Sequence, residues 1–152
     1  MKLPAILDQP AVAWNDRVAM MAYQLSKHAG ELLPVRHIFK DMWYIREMEL
    51  PRDIYFVGRE HKEGHIVKLL RGKAALLLPD GPRDFCAPAV IHTQPGFHSV
   101  AYTYTNILVQ TWHDNFDNCQ DIEVLEARYF SAAQPVLERG KQLMKELSCQ
   151  AQ

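Results

Sequence analysis

Cysteine is scarce in this sequence and is not arranged in pairs. The chain contains three cysteines, Cys86, Cys119 and Cys149, which lie far apart and form no CxxC motif. An odd number of widely spaced cysteines argues against a disulfide framework and against a zinc site built from thiolates. We therefore expect free thiols and a reducing, cytoplasmic location.

A charge excess and a long apolar run are both absent. The 17 Lys and Arg residues nearly balance the 18 Asp and Glu residues, which gives a formal net charge of −1. This balance disfavours a nucleic-acid partner or an anionic membrane surface. No apolar run approaches the roughly 18 residues of a membrane span. Residues 1–10 contain Asp8 and two prolines where a signal peptide would be apolar, so we expect a soluble protein that is not exported.

The sequence also lacks the motifs of nucleotide sites and of serine hydrolases. It contains no Walker loop, no GxGxxG and no Ser/His/Asp order. Gly81 and Gly96 stand alone in turns, so no glycine-rich loop is available to cradle a phosphate. We expect no nucleotide cofactor.

The composition that remains is that of one ordinary domain with a substantial core. Of the 152 residues, 48% are hydrophobic and 23% are charged, as in typical globular proteins. The texture of the chain predicts three parts. These are an N-terminal helical extension over 1–34, a β-rich body over 35–130 and a C-terminal helix over 131–152.

The two end segments are predicted to be amphipathic helices. Apolar residues at steps of three and four predict a helix over about 12–29, with Gly30 and Pro34 as stop signals. Ser131 is the expected N-cap of a second helix over about 133–148, although Gly140 is unfavourable in a helix interior. The apolar positions are Trp14, Val18, Met21, Ala22 and Leu25 in the first helix, and Val136, Leu137, Leu143, Met144 and Leu147 in the second.

The body is predicted to be antiparallel β-sheet. Short apolar runs alternate with glycine and proline, which is the punctuation typical of strands. Short connections such as Gly72-Lys73 and Pro79-Asp80-Gly81 favour antiparallel pairing. The predicted strands are 36–39, 43–50, 53–57, 65–71, 73–78, 89–93, 99–105, 107–113 and 122–129.

Two histidines stand four residues apart just before an apolar strand. In a straight strand His61 and His65 would lie about 13 Å apart, too far for one metal ion with metal–nitrogen bonds of about 2.1 Å. A bend at Glu63-Gly64 can bring the rings together, because glycine accepts backbone angles that other residues avoid. The HExxH motif of metalloproteases is ruled out, because Lys62 follows the first histidine.

Two further histidines lie at the ends of predicted strands. Alternation along 107–113 places His113 at the end of an apolar, inward-facing row. A Pro95-Gly96 corner places His98 at the start of a strand, pointing into or out of the body. The other members of the inward-facing row are Ile107, Val109 and Thr111.

These segments resemble the two motifs of the cupin superfamily. The first motif has a glycine, five residues, H-x-H, three or four residues, a glutamate, six residues and a closing glycine. The second has a P-x-G turn followed by histidine. In this sequence Gly72 matches the closing glycine and His61 the second motif histidine. Arg59 and His65 stand where the motif has its first histidine and its glutamate.

The chain is still more similar to a family of small cupin-like proteins, mostly uncharacterised and frequent in phage and prophage genomes. The resemblance covers roughly 35–130 and implies a mainly β, cupin-like antiparallel barrel of the jelly-roll type, here with a helix at each end. The shared features are Val35-Arg36-His37-Ile38-Phe39, Tyr44, Arg46-Glu47, His61-Lys62, His65, Ala87-Pro88, Pro95-Gly96, Val100-Ala101-Tyr102 and His113.

The same resemblance implies a divalent-metal site. Its implied ligands are His61, His65 and His113, with His98 as a fourth or substitute ligand. Three imidazoles suit Fe²⁺, Zn²⁺, Ni²⁺ or Mn²⁺. The candidates to accept the remaining ring N–H groups, by proximity in sequence, are Glu47, Glu60 and Tyr102. We expect the other histidines, His28, His37 and His92, to be surface or hydrogen-bonded residues.

Two classes of function remain open. The first is a metal-dependent oxygenase, or a hydrolytic or small-ligand-binding protein, whose catalytic residues the sequence does not identify. The second is a non-catalytic virion or tail-associated protein that uses the barrel as a scaffold. In that case its partners are other phage proteins or further copies of the chain, in the host cytoplasm or in the virion.

Overall fold

The computed structural model describes residues 3–28 and 33–152. Gly30, the predicted helix stop, lies outside these residues. The chain forms two compact units. One unit spans 32–131, and the other combines the N-terminal residues up to 31 with residues 132–152.

Within the described residues, nine strands form two antiparallel sheets in the first unit. The sheet of five strands has the order β1-β2-β9-β4-β7, and the sheet of four has the order β3-β8-β5-β6. The strands are β1 (Arg36–Lys40), β2 (Trp43–Leu50), β3 (Tyr55–Val57), β4 (Ile66–Arg71), β5 (Lys73–Leu78), β6 (Gly81–Cys86), β7 (Ala89–His92), β8 (Val100–Thr103) and β9 (Ile107–Asp114). From β4 onward the chain passes repeatedly between the sheets, as in a jelly roll. The predicted fold class is therefore confirmed.

A hydrophobic cluster joins the two sheets. Leu50, Leu69 and Ile107 come from the five-stranded sheet, and Ala74 comes from the four-stranded sheet. All four are buried, so the inner faces of the sheets pack against each other. The predicted inward row on β9 is confirmed at its two ends, since Ile107 is 3% exposed and His113 is 1% exposed.

The predicted strand over 122–129 is wrong. This segment is the helix α2 (Ile122–Tyr129). The Asp121 side chain caps it by accepting hydrogen bonds from the backbone N–H groups of Glu123 and Val124. Leu125 and Tyr129, four residues apart, are both buried, which is the spacing of one helix face. The N-cap aspartate was the sequence signal for a helix here.

The sequence analysis also missed the strand β6. Its middle, Arg83-Asp84, is polar and exposed, so the segment has no apolar run that predicts a strand. β6 lies at the edge of its sheet and pairs only with β5 among the described strands. An edge strand needs little apolar surface, and charged side chains protect its open edge.

The second unit contains the terminal helices α1 (Trp14–Ser26) and α3 (Ala133–Gln150), which pack against each other. Asp16 of α1 accepts two hydrogen bonds, each 3.1 Å long, from the Arg139 guanidinium of α3. Ser131 is not the N-cap of α3. That position is Ala132, which has no side-chain cap bond. Both helices are thus confirmed: the start of α3 is as predicted, and the other three boundaries differ by two or three residues.

Two further expectations concern membrane-spanning helices and the cysteines. In the part of the chain that the structure describes, no helix is both long and apolar enough to cross a membrane. The three cysteines are free thiols, with Cys86 and Cys149 exposed and Cys119 half-buried.

Gly140 lies where α3 approaches the backbone of α1. A Cβ at this position would overlap the carbonyl oxygen of Ala19. Alanine normally stabilises a helix interior by about 1 kcal/mol relative to glycine. We expect the opposite sign here: Gly140→Ala lowers the free energy of unfolding by about 1–3 kcal/mol, the usual cost of overpacking. Urea unfolding followed by circular dichroism measures the change. The control is Lys141→Ala, an exposed neighbour, and equal stability of both variants would contradict the close approach.

Candidate metal centre

His61 and His65 meet because the chain bends between them. The bend falls at Lys62 and Glu63, directly before Gly64. A Cβ on Gly64 would lie 2.9 Å from the Thr93 carbonyl oxygen, so a side chain does not fit there without a shift of the backbone. The predicted bend is therefore present, and the two imidazole rings stack with centroids 3.6 Å apart.

Backbone contacts hold these two histidines on opposite sides of the bend. His61 forms an isolated antiparallel bridge with Phe130, and its carbonyl accepts a 2.8 Å hydrogen bond from the Gly96 N–H. The carbonyl of His65 accepts a 2.9 Å hydrogen bond from the Thr93 N–H. The positions of both rings thus depend on segments distant in sequence.

His113 brings the third ring from β9. It lies opposite Tyr44 of β2, with its side chain on the inner face. The His113 ring centroid is 5.2 Å from the centroids of both His61 and His65. We call these three residues the histidine cluster. Tyr129 of α2 stacks on His113 at 4.9 Å, so the helix that replaces a predicted strand covers the cluster.

Each ring of the cluster has one nitrogen with a polar contact. His61 Nδ1 lies 2.8 Å from the Arg59 carbonyl oxygen. A carbonyl only accepts, so Nδ1 carries the hydrogen and Nε2 carries the lone pair. Thr93 Oγ1 lies 2.7 Å from His65 Nδ1, and Thr111 Oγ1 lies 3.2 Å from His113 Nε2. His61 Nε2 is buried and has no hydrogen-bond partner among the described residues.

Burial keeps the three imidazoles uncharged. His61, His65 and His113 are 7%, 6% and 1% exposed. Loss of solvation lowers their pKa values to about 2, about 4 and about 3, respectively. The Arg46 charge lowers the pKa of His61 and of His113 further. At neutral pH each ring therefore keeps the lone pair that metal binding requires.

Two arginines lie next to the histidine cluster. The guanidinium carbons of Arg46 and Arg59 each lie 4.6 Å from the centroid of the Phe130 ring. That ring and the His61 ring are nearly perpendicular, with centroids 4.7 Å apart. The Glu126 carboxylate of α2 faces both guanidinium groups. The surroundings of the cluster are thus aromatic and positively charged.

A pocket of about 200 Å³ lies beside His65. Trp43 and Trp112 line it, and their rings meet edge to face at 5.5 Å. His92 and Asp114, both exposed, also line the pocket. Along β9, Trp112 and Asp114 alternate with the inward-facing His113, so this part of the pocket lining lies on the outer face of the sheet.

The structure places His98 among different partners. His98 is buried, and its imidazole interacts with the backbone of Gly58 and with the charge of Glu60. Its role as a fourth ligand remains a prediction. Of the histidines expected to have no special role, His28 and His92 are exposed, and His37 Nδ1 lies 2.7 Å from the Tyr44 hydroxyl.

Of the three predicted acceptors for the ring N–H groups, Glu60 acts through its charge on His98, whereas Glu47 and Tyr102 contact other groups. Glu47 pairs with Arg36 and Gln110, and the Tyr102 hydroxyl donates to Asp53. The groups that contact the rings are instead the Arg59 carbonyl, Thr93 and Thr111, as described above. Thr111 lies two residues before His113 in the predicted inward row, and this position was the sequence signal for its contact with the His113 ring. The Arg59 carbonyl carries no signal in the sequence, because every residue has one.

The histidine cluster is not already arranged around an ion. Among residues 3–28 and 33–152, no three His, Cys, Asp or Glu side chains have the arrangement of a metal site. The rings of His61, His65 and His113 are nearly parallel, with interplanar angles of 10–23°. The imidazoles thus pack on one another.

The chain aligns with solved structures, cupin-2 domain proteins among them, at low sequence identity. A cupin-2 domain protein from Shewanella frigidimarina covers 71% of this chain and 98% of its own, at 6% identity and a TM-score of 0.46. A cupin 2 domain-containing protein from Halorhodospira halophila covers 57% of this chain and 69% of its own, at 14% identity and a TM-score of 0.48. An acetylacetone dioxygenase from Acinetobacter johnsonii covers 53% of this chain and 58% of its own, at 12% identity and a TM-score of 0.45. The sequence matches no protein-family model and no curated protein.

We expect the metal-free protein to lose stability as the pH falls below about 6.5. In the unfolded chain a histidine has a pKa near 6.5, whereas burial lowers the pKa values of the cluster to about 2–4. Between these values the unfolded state binds more protons than the folded state. The free energy of unfolding is therefore highest above pH 6.5 and decreases as the pH falls, by about 2 kcal/mol per histidine between pH 6.5 and 5.

Urea unfolding at pH 7.5 and at pH 5, after dialysis against EDTA, measures this dependence. His113→Asn removes one of the buried rings, so the decrease between the two pH values becomes smaller. His28→Asn, at an exposed position, is the matched control and keeps the full decrease. The same pH dependence in His113→Asn and in the unaltered protein would contradict the explanation.

Proposed function

We propose that this protein is a small cupin-like metalloprotein in which the histidine cluster binds one divalent transition-metal ion. The observation that carries the proposal is the meeting of three buried, uncharged imidazoles, His61, His65 and His113, from separate parts of the chain. Buried polar atoms are almost always hydrogen-bonded. His61 Nε2 has no hydrogen-bond partner among the described residues, and a metal ion that accepts its lone pair would supply a partner.

The donor set fits a divalent ion. Metal-binding histidines usually have their second ring nitrogen held by a carbonyl, carboxylate or hydroxyl, which sets the orientation of the ring. The Arg59 carbonyl, Thr93 and Thr111 are groups of this kind. No carboxylate contributes to the cluster, so imidazole-binding ions such as Fe²⁺, Zn²⁺, Ni²⁺ and Mn²⁺ are favoured over Ca²⁺ or Mg²⁺.

The ring separations partly match those on an ion. With metal–nitrogen bonds of about 2.1 Å, imidazoles at tetrahedral positions have centroids roughly 5 Å apart. The 5.2 Å separations of His113 from His61 and His65 agree with this value. The 3.6 Å separation of His61 and His65 is shorter, so these two rings must move apart by more than 1 Å when an ion binds.

A three-histidine site leaves coordination positions open, and its bound ion would supply dioxygen chemistry if it is iron or Lewis-acid chemistry if it is zinc. The chain's own residues prepare the site for this. Burial keeps the imidazoles deprotonated, and the carbonyl and hydroxyl partners orient them. Tyr129 and Phe130 exclude water from one side of the cluster.

A second candidate is a metal-free scaffold protein. The observation that favours it is the 3.6 Å stack of His61 on His65, which is a packing contact between two uncharged rings. On this proposal the body is a rigid platform that binds further copies of the chain or other proteins, such as those of a phage particle. Native mass spectrometry would then find a fixed oligomer or complex whose mass does not depend on metal.

Elemental analysis of protein produced without a polyhistidine tag tests the metal site. We expect close to one transition-metal ion per chain, and less than about one tenth of that in His61→Ala/His65→Ala, since only one imidazole remains. His28→Ala, which removes an exposed histidine, keeps full occupancy. Circular dichroism establishes that the double variant is folded.

A second measurement tests metal binding even if the ion is lost during purification. The protein is dialysed against EDTA and titrated with Zn²⁺, Fe²⁺, Ni²⁺ and Mn²⁺. Failure of all four ions to bind, or equal binding to the folded double variant, would contradict the metal site and favour the scaffold.

A further inference from the structure

Arg46 and Arg59 are two cations that share one carboxylate. We call them the arginine pair. They flank the Phe130 ring, as described above. The Glu126 carboxylate lies 3.8 Å from an Arg46 nitrogen and 3.4 Å from an Arg59 nitrogen. Among the described residues, the ion pairs of the arginine pair involve this carboxylate alone, which leaves one positive charge in excess.

The contacts to Glu126 are longer than those of a strong ion pair. N–H···O hydrogen bonds normally measure about 2.7–3.2 Å. Elsewhere in this chain the exposed Arg128 binds both carboxylate oxygens of Asp117 at 2.9 Å, which is a bidentate pair of the usual kind. Glu126 thus lies near the arginine pair without saturating its donors.

Both arginines also have unpaired donors. The Nε atoms of Arg46 and Arg59 are buried and have no hydrogen-bond partner in the part of the chain that the structure describes. A buried donor atom without a partner is costly, and an anion that accepts a hydrogen bond from it removes the cost. The region therefore has both the charge and the hydrogen-bonding capacity for a further anion.

The arginine pair lies one aromatic ring away from the histidine cluster. The Phe130 centroid is 4.7 Å from that of His61 and 5.5 Å from that of His113. Arg46 is paired across β2 and β9 with Thr111, whose hydroxyl contacts His113. An anion held by the guanidinium groups therefore lies beside the cluster.

We propose that the arginine pair binds the carboxylate group of a small organic acid. Guanidinium groups match a carboxylate through two parallel hydrogen bonds, which an ammonium group cannot form. Glu126 already places a carboxylate at this position, so it acts as an internal competitor that the ligand displaces. Binding of the acid by the arginine pair requires no metal. Only the further step, that the same acid is the ligand of the metal centre, rests on the proposed function.

Isothermal titration calorimetry of the 152-residue protein tests the site, with succinate as the probe and the neutral succinamide as its control. Both are titrated at matched ionic strength and pH 7.5, into metal-free and into Zn²⁺-loaded protein. We expect succinate to bind at least ten-fold more tightly than succinamide, also without metal. Arg59→Gln weakens succinate binding at least ten-fold. Arg128→Gln, an exposed arginine on α2, leaves it unchanged.

Glu126→Gln separates a binding role from a structural one. Removal of the competing carboxylate is expected to tighten succinate binding at least three-fold, whereas loss of a structural ion pair would not. Arg46→Gln is expected to weaken succinate binding as Arg59→Gln does. If Arg46→Gln does not fold, Arg59→Gln alone is the test, since the Arg59 side chain is 34% exposed and its replacement disturbs the core less.

Three results would overturn the proposal. These are equal binding of succinate and succinamide, unchanged succinate binding in Arg59→Gln, and tighter binding of inorganic phosphate than of succinate. Succinate binding without any metal binding would support the anion site and contradict the proposed metal site. Metal binding without succinate binding would support the metal site and contradict the anion site.

Discussion

The burial of three uncharged imidazoles at one place in the β-sheet unit is the constraint on which its chemistry depends. His61, His65 and His113 have almost no exposure to solvent. Adjacent protonated rings would repel one another and would lose their hydration, which is why their pKa values are low. The same low pKa values leave the ring nitrogens available as ligands. The expected pH dependence of stability and the proposed metal binding therefore have a common origin in the desolvation of the rings.

The segment after β9 completes this environment. The helix α2 and the residue that follows it bring Glu126, Tyr129 and Phe130 over the open side of the histidine cluster. Tyr44, Leu125, Tyr129 and Phe130 form one hydrophobic cluster, which anchors the helix to β2. Phe130 contacts both the imidazole of His61 and the two guanidinium groups, so one ring lies between the neutral and the charged parts of the site.

Local patterns predicted most of the β-sheet unit. The strands over 43–50 and 73–78 have the predicted boundaries, because apolar runs and flanking turn residues mark them clearly. The errors fall where local and tertiary signals disagree. Residues 122–129 are apolar enough for a strand, but the Asp121 cap stabilises a helix. β6 is a strand because β5 offers it a ladder of hydrogen bonds, although its own side chains are polar.

The sequence alone determined the antiparallel class of the fold, the bend before β4 and the inward direction of His113, because these follow from turn chemistry and from the alternation of side chains along a strand. It also singled out His61, His65 and His113 as partners. Only the tertiary structure decided the separation of the three rings, the groups that hold them and the approach of Arg46 and Arg59 to Phe130. Such contacts join residues as far apart in sequence as Arg46 and Phe130, and their geometry depends on how sheets and helix pack rather than on any local pattern.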